Sequence, residues 1–115
     1  MTARGQVTRA YRQAASYRGP REQEADVFRH VNFGLRRAMT GGRIERCRAL
    51  ADNRRLWLTV ADLMADPANA LPAETRAGLI SLSLSVRREM EQETPDISFL
   101  IGINETIISG LTGAG

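Results

Sequence analysis

Apolar residues recur along most of this chain at intervals of three or four, the spacing that places them on one face of an α-helix. The first stripe is short and predicts a helix over residues 6–17; its members are Ala10, Tyr11, Ala14 and Ala15. Gly19 and Pro20 interrupt this pattern. Proline suits the first turn of a helix because its missing N–H is not needed there, so a second helix is predicted over 20–39.

The predicted helix over 20–39 carries a broad apolar face, which consists of Val27, Phe28, Val31, Leu35, Ala38 and Met39. Phe33 falls on the opposite, charged side, where it either meets a partner or is one of the scattered apolar residues that every protein surface carries. Thr40, Gly41 and Gly42 end this helix, because glycine readily adopts the left-handed conformation found at helix ends.

A third helix is predicted over 43–65, where Asp66 and Pro67 stop it. Its apolar face consists of Cys47, Leu50, Ala51, Trp57, Leu58, Ala61 and Met64. Two interpretations of the segment around Trp57 stay open. In one, Trp57 fills the core and Arg54 and Arg55 are solvated. In the other, Asn53 and Arg54 reach inward, bond to Asn104 or to a loop carbonyl, and hold the helices in register.

Between Ile80 and Val86 apolar residues and serines alternate strictly, as they would in a half-buried strand. The chain offers no second strand to pair with this one, and a lone strand leaves its backbone groups unsatisfied. The segment is therefore assigned to a fourth helix, over 72–92. Read as a helix it is apolar on a wide arc, which predicts the most buried helix of the protein.

The last predicted helix covers 96–111, and its apolar stripe consists of Ile97, Leu100, Ile101, Ile103, Ile107, Ile108 and Leu111. Asn104 lies in the middle of this stripe. A buried amide needs partners, so Asn104 is expected to bond to a neighbouring helix. These patterns predict an all-α fold, a compact bundle of about five helices in a single domain over 1–115. Residues 1–9 are expected to be a flexible extension and 112–115 a flexible tail.

Composition adds that this is an ordinary globular chain without a transmembrane run or a secretory signal, which points to the cytoplasm. Charge is unevenly spread. Residues 1–57 hold 13 arginines against 5 acidic residues, a net +8, while 58–115 hold 3 against 8, a net −5. Either the two halves pair with each other or the basic half faces an acidic partner. All 16 basic residues are arginine, the better forked donor to carboxylates and phosphates.

Candidate chemistry is sparse. The single histidine, His30, has no acid partner or second metal ligand nearby, and Cys47 has no Cys or His at metal-ligand spacing. We therefore expect no catalytic residue, no metal and no cofactor, and no enzyme. The glycine turn before 43–65 superficially resembles a helix-turn-helix, with Arg43, Arg46 and Arg48 early on the second helix. RNA binding through the arginine-rich half is the more credible nucleic-acid alternative, since phosphate contact requires a basic surface alone.

Taken together and in order, several short strings resemble the FlaF family of flagellar biosynthesis regulators of alphaproteobacteria. They are Ala10-Tyr11, Pro20-Arg21-Glu22 with Val27-Phe28, Asn53-Arg54-Arg55-Leu56-Trp57, Asn69-Ala70-Leu71-Pro72, Leu79-Ile80-Ser81-Leu82 with Val86, Ile103-Asn104, Ile107 and Gly110-Leu111. The family pattern has an aromatic residue near Ser83–Val86, where this chain has none. The nine residues before Ala10 look like an extension.

The resemblance implies a function that periodicity could not. FlaF-like proteins are required for flagellin synthesis and export, act with and opposite to the translational regulator FlbT, and look like chaperone-type factors that bind flagellin. Flagellin's terminal segments are amphipathic helices that a helical groove could cover. We expect the partner surface on exposed residues of the first half, namely Tyr11, Tyr17, Phe28, Phe33, Arg36 and Arg37. Asn53, Trp57 and Asn104 are assigned to the scaffold.

Overall fold

The computed structural model describes residues 20–113, and within this range the chain folds into four α-helices without a strand. They are α1 (Pro20–Met39), α2 (Arg43–Ala65), α3 (Ala73–Met90) and α4 (Ile97–Thr112). The all-α class is therefore confirmed, and the alternating segment from Ile80 to Val86 is helical. The other predicted helix, over 6–17, lies outside the described residues.

The turn between α1 and α2 contains Gly41 and Gly42, as predicted, but neither glycine has a positive φ. Left-handed backbone is thus not the reason for glycine here. A Cβ atom at Gly41 would run into the carboxylate of Glu45 and lie 3.1 Å from the carbonyl oxygen of Arg37. Glycine is favoured at position 41 because a side chain there would displace the carboxylate of Glu45 and press against the backbone of Arg37.

The end of α4 does use left-handed glycine. Gly113 has a φ of 71°, and its N–H bonds to the carbonyl of Ser109. Thr112, which the sequence assigned to a flexible tail, instead belongs to the last turn of α4 and donates its hydroxyl hydrogen to the carbonyl of Ile108 at 2.9 Å. The helix continues one residue further than predicted because Gly113 supplies the terminating conformation.

The start of α4 is fixed by two hydrogen bonds of Asp96. Its side chain caps the helix by accepting from the N–H of Phe99 at 3.2 Å. Its own N–H donates to the carboxylate of Glu89 at 2.9 Å, near the end of α3. The short connection between α3 and α4 is therefore anchored at both helices.

The core lies between α1 and α4, which form the most extensive helix pair, while α2 packs on α1 and α3 packs on α2. Its buried members are Phe28, Val31, Leu35, Ala38, Ala49, Trp57, Val86, Met90, Ile97, Leu100 and Ile101. Leu35 and Leu100 are fully buried. None of the helices between residues 20 and 113 is both long and apolar enough to span a bilayer.

Several residues assigned to core-facing stripes are exposed instead, namely Val27, Met39, Cys47, Leu58, Ile80 and Leu84. Val27 lies at the margin of the α1 face, and Met39 is the last residue of that helix. The expectation that the fourth predicted helix would be the most buried is also wrong. In α3 just Val86 and Met90 are buried, because α3 packs on α2 and touches α4 over a small area.

Candidate functional site: an apolar groove beside a buried asparagine cluster

Three asparagine side chains from three helices meet inside the core: Asn32, Asn53 and Asn104, here called the asparagine cluster. The amide nitrogen of Asn104 donates to the side-chain oxygens of Asn32 and Asn53, both at 2.9 Å. Its oxygen accepts from the indole nitrogen of Trp57 at 2.8 Å. Asn104 therefore uses both of its donors and accepts one bond without contact with water.

The asparagine cluster extends to every helix between residues 20 and 113. Asn32 donates to the backbone carbonyl of Ile101 in α4 at 3.1 Å. Asn53 donates to the sulfur of Met90 in α3 at 3.4 Å, a weak acceptor. The cluster thus joins α1, α2 and α4 by amide hydrogen bonds and reaches α3 through Met90. Such a network favours one register of the bundle, because a shifted helix would leave buried amides unpaired.

Of the two interpretations of the segment around Trp57, the structure contains parts of each. Asn53 bonds to Asn104 as the second interpretation predicted, and Trp57 is buried as the first predicted. Arg54 does not reach inward; it is exposed, like Arg55.

Sequence reasoning missed Asn32. It lies on the apolar face of α1, four residues after Phe28 and three before Leu35. Asn104 was singled out because it lies inside an apolar stripe, and the same criterion applied to α1 would have found Asn32.

A groove of about 430 Å³ opens between α2 and α3. Trp57, Val86 and Met90 are its buried lining residues, so the groove lies directly beside the asparagine cluster. The lining is otherwise mostly apolar and is completed by Leu58, Ala61, Ala65, Ile80, Ser83 and Leu84, with Arg54, Arg87 and Glu91 as its charged members. We call this the α2–α3 groove.

Large aliphatic side chains on both sides of the α2–α3 groove are open to solvent. Leu58 on α2 is 58% exposed, and Ile80 and Leu84 on α3 are 41% and 45% exposed. Arg87 forms an ion pair with Glu91 at 3.5 Å, but both are largely exposed and the pair contributes little. An apolar groove between two helices can accept the apolar face of a third helix, so this site is suited to binding rather than to chemistry.

The sequence-predicted partner surface needs one correction. Phe28 is 7% exposed, and its ring packs edge-on against Trp57 with centroids 5.9 Å apart. It belongs to the core because it lies on the apolar face of α1, so its side chain is not available to a partner. Phe33 is 60% exposed, and the guanidinium of Arg37 lies 5.9 Å from its ring centroid. Arg36 forms an ion pair with Glu105 of α4.

The other predicted partner residues, Tyr11 and Tyr17, lie outside the described residues. His30 and Cys47 are both exposed. Within residues 20–113, no three His, Cys, Asp or Glu side chains are grouped as ligands for a metal ion.

Comparison with known protein families gives a match over nearly the whole chain. A family model described as "Flagellar protein FlaF" matches residues 7–111, which include the asparagine cluster and the α2–α3 groove. The matched region starts at residue 7 and so takes in part of the stretch before Ala10 that looked like an extension. No curated protein and no solved structure gives a significant match.

Proposed function

Because the chain belongs to the FlaF family of flagellar proteins, we propose that it is a flagellar biogenesis factor that binds flagellin in a chaperone-like manner. The observation that supports this is the α2–α3 groove with its exposed Leu58, Ile80 and Leu84. In this proposal an amphipathic helix from a flagellin terminus lies in the groove, with its apolar residues against those side chains.

The physical benefit for the cargo is the removal of apolar surface from water. Each large aliphatic side chain that is fully buried gains roughly 1.5–3 kcal/mol, which favours binding of an unpaired amphipathic helix over leaving it exposed. A covered helix is also protected from aggregation before assembly. The contact is noncovalent and reversible, so the cargo can be released for export. We propose no catalytic step, no cofactor and no metal.

We further propose that the protein acts in the cytoplasm, where flagellin is made, and in concert with the FlbT regulator. Binding of newly made flagellin would link its synthesis to its export. This role requires a cargo surface and does not require direct contact with FlbT.

The test uses a matched pair of full-length variants in a flagellin binding titration. Leu84→Asp places a charge in the α2–α3 groove, whereas Phe33→Asp places the same charge at an exposed position of α1 that does not line the groove. We expect Leu84→Asp to weaken binding at least about tenfold, a change of ~1.4 kcal/mol, and Phe33→Asp to bind like wild type.

Three other outcomes would count against this proposal. Wild-type protein that does not retain flagellin would remove the function itself. Normal binding by Leu84→Asp would remove the groove as the cargo site. Loss of binding by Phe33→Ala and Arg36→Glu, with Leu84→Asp unaffected, would move the cargo to the surface predicted from the sequence.

A second candidate function is supported by the charge of α2. Its five arginines form no ion pair within residues 20–113, and four of them are exposed: Arg43, Arg48, Arg54 and Arg55. Such a surface suits phosphate contacts, so the alternative is an RNA-binding regulator of flagellin mRNA. A salt-dependent gel shift of labelled leader RNA by the pure protein would favour it. Flagellin retention without any RNA shift would exclude it.

A further inference from the structure

The open side of α2 carries a stripe of residues that is complementary to itself when its direction is reversed. Leu58, at the centre, is 58% exposed. Arg54 lies four residues before Leu58 and Asp62 four residues after it, so the three side chains share one helix face. Ala51 and Ala65 extend this face by seven residues in each direction, and their small side chains permit close approach of another helix. We call these five residues the α2 stripe.

Both charges of the α2 stripe are available to a partner. Arg54 and Asp62 are exposed, and neither forms an ion pair with another residue between 20 and 113. Their exposed neighbours have the same signs, since Arg55 adjoins Arg54 and Asp66 follows Asp62 by one turn. The surface is therefore basic on one side of Leu58 and acidic on the other. Such a surface attracts a copy of itself that runs in the opposite direction.

α3 continues this surface on the other side of the α2–α3 groove. It follows α2 after a short connection and runs antiparallel to it, because Asn53 of α2 bonds to Met90 at the end of α3. Leu58 lies five residues after Asn53, and Leu84 lies six residues before Met90. The two exposed leucines therefore flank the groove at about the same height. A second molecule that covers Leu58 also covers Leu84.

Charge decides in which direction a second copy fits. When the α2 helices of two copies lie antiparallel on each other, each Arg54 meets Asp62 of the other copy, and the two Leu58 side chains meet at the two-fold axis. The other two-fold arrangement lays α2 of one copy on α3 of the other. It brings Arg54 against Arg87, since both residues lie at the same end of the groove, and like charges disfavour it.

From these observations we propose that a second copy of this chain covers the α2–α3 groove, in an isologous dimer whose two-fold axis passes between the paired Leu58 side chains. Burial of Leu58 and Leu84 from both copies favours association, and the two reciprocal Arg54–Asp62 pairs set its direction. Cargo and the second copy need the same surface, so cargo binding converts the dimer into monomers. That competition rests on the proposed function, whereas the dimer does not.

Charge reversal in the full-length protein tests the dimer by sedimentation velocity over a range of concentrations. A reductant is present, so that the exposed Cys47 cannot form a disulfide. We expect wild type to dimerise, and Arg54→Asp and Asp62→Arg each to raise the dimer dissociation constant at least about tenfold, because each creates two like-charge contacts. Arg48→Asp, at an exposed position of α2 outside the α2 stripe, is the matched control and should dimerise like wild type.

An equimolar mixture of the two stripe variants separates a lost interface from a lost fold. Arg54→Asp has two acidic residues on the α2 stripe and Asp62→Arg has two basic ones, so a mixed dimer regains two opposite-charge pairs. We expect dimers in the mixture at concentrations where each variant alone is monomeric.

Three outcomes would overturn the dimer: wild type that stays monomeric throughout, stripe variants that dimerise like wild type, or a mixture that stays monomeric. Flagellin takes part in none of these measurements, so a failure of the proposed function would leave their results intact. A monomeric wild type, in turn, would leave the groove open to flagellin.

Discussion

The amide of Asn104 connects the interior of the bundle through three hydrogen bonds, two donated and one accepted from Trp57. A buried amide without partners would cost several kcal/mol, whereas a paired one costs little. The stability of this core therefore depends on all members being present together. Removing the central member leaves Asn32, Asn53 and Trp57 each with an unpaired polar atom.

Substitution of Asn104 by alanine should accordingly be strongly destabilising. Each buried group left unpaired costs about 1–3 kcal/mol, so we expect Asn104→Ala to lower the free energy of unfolding by roughly 3 kcal/mol. Urea denaturation, monitored by circular dichroism, measures this change in the free energy of unfolding. Asn69→Ala is the control, because Asn69 makes two side-chain hydrogen bonds in an exposed loop. Equal losses in the two variants would show that the cluster contributes no more than an exposed turn.

At the scale of single residues, the sequence predicted that Asn53 bonds to Asn104 but could not decide where Arg54 lies, and the difference has a physical reason. An amide inside an apolar stripe must find a partner, which is why a bond between Asn53 and Asn104 could be predicted. Whether the adjacent Arg54 also turns inward depends on the angle at which α2 crosses its neighbours, and one sequence does not contain that angle. Arg54 is in fact exposed.

Among the helices, α3 shows the difference between an apolar pattern and actual burial. Its residues between Leu79 and Val86 are apolar on a wide arc, which predicted contacts on more than one side. An apolar pattern indicates what a helix can bury and does not say how many neighbours it has. α3 packs on α2 and touches α4 over a small area, so Ile80 and Leu84 remain exposed and form the groove instead of the core.

The sparse packing of α3 should make its first half the least protected helical segment of the described bundle. No residue between Ala73 and Ser85 is buried, whereas α1 and α4 bury Leu35 and Leu100 completely. Amides in segments with few buried contacts open at lower free energy. Hydrogen exchange should therefore be at least about tenfold faster for residues 75–82 than for the centres of α1 and α4. Uniform protection over the four helices would contradict this.

The turn between α1 and α2 gives a prediction in which the same substitution has opposite effects at neighbouring positions. Gly42→Ser adds a capping hydroxyl at an N-cap position with extended backbone and free space, and should stabilise the protein by about 0.5 kcal/mol. Gly41→Ser brings a Cβ against Glu45 and the carbonyl of Arg37, and should cost about 1 kcal/mol. Thermal denaturation of both variants measures the difference. If both substitutions changed Tm in the same direction, the contacts of a side chain at position 41 would not be what destabilises the turn.

At the scale of the whole molecule, the basic and acidic halves of the chain pair with each other in part. Arg36 of the basic half pairs with Glu105 of the acidic half across α1 and α4, as one of the two sequence-based alternatives requires. The arginines of α2 stay without ion pairs within residues 20–113, as the other alternative requires. Fold class could be predicted from periodicity, whereas the flagellar role came from a resemblance over many short strings, since no spacing of residues in this chain defines a reaction.

Binding of cargo to the folded state links function to the stability of the whole molecule. A ligand that binds the native state alone stabilises it by about 2.7 kcal/mol at a concentration 100-fold above its Kd. For a domain of this size, each kcal/mol raises Tm by roughly 4–8 °C. Under these conditions a peptide of a flagellin terminal helix should thus raise Tm by about 10 °C or more.

The control for this thermal shift is Leu84→Asp. Its side chain is 45% exposed, so the substitution removes part of a buried aliphatic surface and should lower the stability of the free protein by about 1 kcal/mol. If the groove holds the cargo, this variant loses the shift, measured for each protein against its own Tm without peptide. An aspartate at position 84 would be buried, and so disfavoured, by an apolar helix that binds in the groove. A Tm shift of the same size in wild type and in Leu84→Asp would therefore locate the peptide elsewhere on the bundle.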